Sequence, residues 1–344
     1  MLTHLGTILE PSKGQFDSGC STFSCAFVDE DDPGTVYLYY TGGSDTKLTR
    51  ASIGLATSKD GEHFRKVSEL NPLIDGERGE FNSRQSVTPA VVRVNGHYYM
   101  FFAGTEQGSI FKAYRSKIGV ACAEDPRGPW KVLGVIARPE LDWEGWSIDL
   151  GPSVVDLGGG HVLVYYSNVF NSVPIRLSFP LIPRYLRRRI GILNVKIKSP
   201  TSITAQKHCT NPLKHLNGAK GSPSESLFCP GHLLLGGRHV LLPTMSTYSV
   251  GYPFHQYVGM ISDSNPYFGN RSAVSILIDG PTEKGEILNA RNQIALDTPS
   301  PVLRNGKFYL YYSAMDRQDG IWKTALSIVG SRWMQEQTMR MELV

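Results

Sequence analysis

Five times along this chain the same three-part pattern returns, and it leaves few folds open. Each copy opens with an apolar stretch behind a proline or small residue. It continues into an aromatic stretch and ends on Ile-Gly or an equivalent. The first copy reads Ser24-Cys25-Ala26-Phe27-Val28, then Tyr37-Leu38-Tyr39-Tyr40-Thr41, then Ile53-Gly54-Leu55-Ala56. The second occupies 89–92, 99–103 and 118–121, and the third 152–155, 163–167 and 190–193. The fifth occupies 299–303, 309–313 and 324–327. The fourth, at 230–233, 240–244 and 258–261, is the least regular. Aromatic and β-branched stretches of this length between turn residues read as buried strands.

Regular repetition of small antiparallel sheets is how a β-propeller keeps its edges short and protected. The repeats therefore predict an all-β chain: a five-bladed β-propeller of four-stranded antiparallel sheets, with 1–344 as one domain. Outer strands are expected at 64–67, 130–133, 202–204 and 274–277. The fifth copy lacks one of its own. Either the N-terminal segment 4–8 or the tail 339–344 would supply it and help close the ring. With 35 Gly and 21 Pro the chain has the turn residues this needs.

Composition narrows the partners. A net charge of +4 without a basic stripe argues against nucleic acid. No apolar run is long enough to span a membrane, and the N-terminus lacks a basic start and apolar core, so it does not resemble a secretory signal. Five cysteines without metal-ligand spacing predict reduced thiols, a cytoplasmic protein, no metal site and no cofactor. One basic cluster stands out: Arg176, Arg184, Arg187, Arg188 and Arg189 in an otherwise apolar segment of the third copy. The expectation is that 169–189 covers a channel mouth, delivers an arginine to an anionic group, or packs against a second copy of the chain.

Two stretches carry a more specific likeness. Tyr37-Leu38-Tyr39-Tyr40-Thr41-Gly42 followed by 53–61, and 98–104 followed by 118–126 and Gly128-Pro129-Trp130, resemble the five-bladed propeller glycosidases. That superfamily includes glycoside hydrolase families 43, 32 and 117 and the related family 130 phosphorylases. The resemblance implies a carbohydrate or glycoconjugate substrate and carboxylate acid/base chemistry in the central channel. In family 43 it implies an Asp in blade one, an Asp in blade three and a Glu before Gly-Pro in a later blade. Here the second copy reads Ser86-Val87-Thr88-Pro89, and the fourth reads Ser224-Glu225-Ser226-Leu227-Phe228-Cys229-Pro230, without Glu-Gly-Pro.

Glycoside cleavage needs one protonated and one ionised carboxyl group. Acids just before each first strand are the candidates, which selects Asp17, Asp149 and Glu225 as catalytic: Glu225 as donor, Asp149 as modulator, Asp17 as base or sugar anchor. Asp17 aligns with Asn82 and Asn292, which also suits an Asx-type turn. Candidate substrate contacts are Arg84, Glu106, Trp146, Asn168, His255, Asp297, Asp316 and Arg317, with Trp143, Tyr248 and Tyr252 as further stacking surfaces and Arg50 as a further cation. Three functions fit: a glycoside hydrolase, a glycoside phosphorylase, and a non-hydrolytic propeller.

Overall fold

The computed structural model describes residues 2–108, 115–169, 187–219, 221–246, 256–269, 274–279, 293–316 and 318–330, with 333 and 336. Its antiparallel strand pairing falls into five four-stranded units, three of them joined by the single parallel bridges Ser21–Lys323 and Ala51–Gln85. Blade one is β2 (Cys20–Val28), β3 (Val36–Gly43), β4 (Ala51–Ser58) and β5 (Arg65–Lys66). Blade two is β6 (Gln85–Val94), β7 (His97–Thr105), β8 (Lys117–Ala123) and β9 (Lys131–Ala137). Blade three is β10 (Ile148–Gly158), β11 (His161–Asn168), β12 (Ile190–Ser199) and β13 (Ser202–Lys207). Blade four is β14 (Ser226–Leu235), β15 (Arg238–Ser246), β16 (Gln256–Asp263) and β17 (Ser275–Asp279). Blade five is β18 (Gln293–Arg304), β19 (Lys307–Asp316) and β20 (Trp322–Val329), completed by β1 (Leu2–Leu9). The missing outer strand thus comes from the N-terminal segment, so the last blade holds both ends of the propeller.

The ring closes through its innermost strands. β2 touches β6, β6 touches β10, β10 touches β14, β14 touches β18, and β18 returns to β2. A repeated hydroxyl clasp reinforces the closure. The backbone N–H groups of Phe23, Thr88, Cys229 and Thr298 donate to Ser313, Thr41, Ser167 and Thr244 at 2.8, 3.0, 3.2 and 3.0 Å, each on the preceding blade. All four donors have positive φ, between 41° and 53°, at the bulge where the first strand turns into the channel. Backbone held in this region is costly for a residue with a side chain, so it persists only where its surroundings fix it.

The Ile-Gly of the repeat has a packing reason. A Cβ on Gly54 would lie 2.6 Å from the Phe16 ring, one on Gly119 2.1 Å from Phe81, and one on Gly191 2.8 Å from Trp143. An aromatic residue just before each of these three blades therefore lies on the glycine of its third strand. These rings also pair with the second strand: Phe16 with Tyr40, Phe81 with Phe102 and Trp143 with Tyr166, at centroid distances of 5.5 to 5.9 Å. No helix among the described residues is long and apolar enough to cross a membrane.

Candidate active site

The register places one residue per blade at the same channel position, opposite Thr41, Ala103, Ser167, Thr244 and Ser313. Those residues are Thr22, Val87, Asp149, Phe228 and Asp297. Only Asp149 and Asp297 carry a carboxyl group. Their settings match. Oδ1 of Asp149 accepts from the Thr88 hydroxyl at 2.6 Å and from the Leu150 N–H at 2.7 Å. Oδ1 of Asp297 accepts from the Thr244 hydroxyl at 3.0 Å and from the Thr298 N–H at 2.7 Å. In both, no described residue bonds Oδ2, and part of the residue surface stays open. Each carboxyl is thus held through Oδ1.

Both acids lie deep among protein atoms, and that burial pushes both pKa values up. Neighbouring hydroxyl and N–H donors and the Arg188 guanidinium pull them back. The charge of Asp149 adds to the rise in Asp297. Arg188 stacks on the Phe228 ring at 3.8 Å and donates from Nε to the Asn168 carbonyl at 2.9 Å. Its Nη2 lies 3.4 Å from Ser167 Oγ and 3.5 Å from Cys229 Sγ. The charge of this one cation acts on both carboxyls.

Asp17 does not join this pair. It is 1% exposed, ion-paired with Lys66 of the outermost strand, and accepts from Tyr40 and Ser21, each at 3.1 Å. Asn82 holds the matching place in blade two and donates to Ser86. In blade three Glu144 does the same, accepting from Tyr166 at 2.5 Å and Lys207 at 2.7 Å. The acid belongs to a repeated internal network, and this corrects its catalytic assignment. Glu225, expected as the donor, stands one residue before β14. Its carboxylate accepts the Gly221 N–H at 2.6 Å and closes a local turn, and the residue is 7% exposed.

The expected sugar contacts divide. Asn168, 3% exposed, accepts the Arg189 N–H at 2.7 Å and fixes the 187–189 segment, so it positions Arg188 and has little surface for a sugar. Asp316 accepts the Gln318 N–H at 2.8 Å in a turn. Arg50 is paired with Asp75, and Arg84 Nε donates to the Thr49 carbonyl at 3.1 Å. Trp143 lies on Gly191 as a packing residue. Trp146 is 39% exposed and, with Glu106, Arg115, Lys117 and Arg138, lines a cleft of about 460 Å³. His255, Arg317, Tyr248, Tyr252, Asn292, Arg176 and Arg184 lie outside the described residues, as does most of 169–189. Sequence reasoning did not find Phe228, Cys229, Thr88 or Thr244 at the channel. It did mark the arginine cluster, without distinguishing Arg188.

The profile of glycosyl hydrolases family 43 matches residues 26–172. No curated protein matches. Among solved structures, a family 117 glycoside hydrolase from the marine bacterium Zobellia galactanivorans is similar at 13% identity and TM-score 0.61, over 95% of this chain and 90% of that one. An endo-arabinase from Bacteroides thetaiotaomicron is 13% identical, with TM-score 0.60 over 94% and 97%. An α-L-arabinanase from Cellvibrio cellulosa is 13% identical, with TM-score 0.58 over 89% and 91%. The chain has the fold of the five-bladed propeller glycosidases.

Proposed function

We propose that this chain is a glycoside hydrolase whose carboxyl pair is Asp149 and Asp297, acting on a short oligosaccharide or glycoconjugate at the channel mouth. The observation that carries this is the pair itself: two register-equivalent acids, each anchored through Oδ1, with the Arg188 charge acting on both. Asp297, whose rise includes repulsion from Asp149, keeps the proton and gives it to the leaving oxygen. Asp149, held by the Thr88 hydroxyl, stays ionised on the other side of the scissile bond. Arg188 supports the ionised member and is itself held by Asn168.

Asp297-Thr298-Pro299 also has an acid two residues before proline, the spacing of Glu-Gly-Pro, one blade later than expected, while Phe228 holds that place in blade four. The cytoplasmic setting and the one-domain extent over 1–344 expected from sequence belong to the same proposal. The buried free thiols Cys20, Cys25, Cys122 and Cys229 support a reducing compartment.

The test is release of new reducing ends from a panel of arabino-, galacto- and uronic-acid-containing oligosaccharides, with and without phosphate. Phosphate-independent release supports hydrolysis. Strict phosphate dependence moves the assignment to phosphorolysis. No release across the panel by folded protein, with ligand binding retained, favours the non-hydrolytic propeller.

A further inference from the structure

The cleft beside Trp146 is not used by the chemistry above, and its charges do not cancel. Lys117 is ion-paired with Glu106. Arg138 has no carboxylate partner among the described residues. Arg115 also lacks one and stacks over the Trp146 ring, 5.7 Å from guanidinium to centroid. Two guanidinium groups without a carboxylate partner among the described residues therefore share a cleft with an exposed indole.

Position ties this cleft to the channel. Glu106 follows β7, Arg115 and Lys117 lead into β8, and Trp146 lies three residues before Asp149. In a four-stranded antiparallel blade those strand ends fall at one end, the end at which Asp149 enters the channel. The segment is held there by Ser116, whose N–H donates to the Ser147 hydroxyl at 3.1 Å and whose carbonyl accepts from Ile148 at 3.3 Å.

We infer that this cleft is a subsite for a sugar residue bearing an acidic substituent, a carboxylate or a sulfate ester. The flat indole takes the apolar face of the ring, and Arg115 and Arg138 take the acidic group. Guanidinium suits both candidate groups because its planar fork matches two oxygens at once. Trp146 is already covered on part of its ring by Arg115, so the sugar and the guanidinium meet on one platform. The inference rests on the proposed carbohydrate site and names its substrate class.

The experiment is a binding titration on the full chain, read by tryptophan fluorescence and calorimetry. The probes are an oligouronide, a sulfated oligosaccharide and a neutral oligosaccharide of the same length. The acidic probes bind more tightly than the neutral one by about tenfold or more, the range of a charge-assisted hydrogen bond, and more weakly as salt rises. The uronide and sulfate arms decide which acidic group is preferred. Arg138→Gln and Arg115→Gln each remove most of that preference, and Trp146→Ala weakens all three probes. All three positions are exposed or partly exposed, so folding is checked by an unchanged melting curve. Equal affinity for acidic and neutral probes, or a preference that survives both arginine substitutions, overturns the inference. Hydrolysis of a neutral glycan without acidic preference defeats this inference alone. Acidic preference without hydrolysis of any glycan leaves it standing and defeats the hydrolase proposal.

Discussion

Replacing Asp17 separates a structural acid from a chemical one. In the folded chain Asp17 is 1% exposed, and its Lys66 partner keeps 15% of its side chain in solvent. Asp17→Ala leaves the Lys66 ammonium without its counter-charge and removes the acceptor of Tyr40 and Ser21. Breaking a buried ion pair from one side costs about 3–5 kcal/mol. The residual hydration of Lys66 places this case near the lower end, at about 3 kcal/mol. A chain of this length, at about 2.1 cal/mol/K per residue, has an unfolding entropy of about 0.7 kcal/mol/K, so the melting temperature falls by about 4 °C. Asp17→Asn costs less, because blade two already places Asn82 there. The assay pairs thermal melts with turnover per folded molecule, measured well below the midpoint. The expected result is a lowered melt with turnover within a few-fold of wild type. An unchanged melt with turnover lost by orders of magnitude would return Asp17 to the chemistry.

Two further predictions follow from the site and the ring. Burial raises the folded-state pKa of Asp149 and Asp297, so their contribution to stability is fully present below the unfolded value of about 3.9 and is lost as pH rises through the folded values. Asp297→Asn and Asp149→Asn should therefore melt higher than wild type at neutral pH and converge with it in acid. Melts across pH check this, and variants that melt lower at neutral pH contradict it. Deleting 1–9 should bare the edge of β20 and uncover the core around Leu9, which is 3% exposed. Lower melting and concentration-dependent scattering are expected, with rescue by a peptide of that segment, and a monodisperse deletion of unchanged stability refutes the closure.

The propeller was legible because its repeat is a packing repeat. Aromatic second strands fill the blades, as Tyr39, Tyr40, Tyr165 and Tyr166 show by their complete burial. The glycine after Ile is there because a ring lies on it. The outer strand of blade five was legible only as a choice between two segments, since pairing across more than three hundred residues leaves no local signal. The acids were harder. Asp17 and Asp149 both stand shortly before a first strand, and nothing local separates one facing Lys66 from one facing the channel. The difference lies in register: Asp149 pairs opposite Ser167, as Asp297 pairs opposite Ser313. Glu225 lies three residues before Phe228, the channel position of blade four, and its carboxylate accepts the Gly221 N–H. Arg188 was one of a cluster, and only its seat on Phe228 distinguishes it.

The central claim is that Asp297 gives a proton while Asp149 stays ionised. Its most direct test compares leaving groups. Once a hydrolysable glycoside is in hand, wild type, Asp297→Asn and Asp149→Asn are assayed on a pair of its aryl derivatives, one whose leaving group needs protonation and one whose leaving group departs without it. The account predicts that Asp297→Asn loses about 10²–10⁴ in turnover on the first and little on the second, the range of a lost general acid. Asp149→Asn should lose heavily on both. Equal losses for Asp297→Asn on the two derivatives, or full activity in either variant, would contradict the assignment.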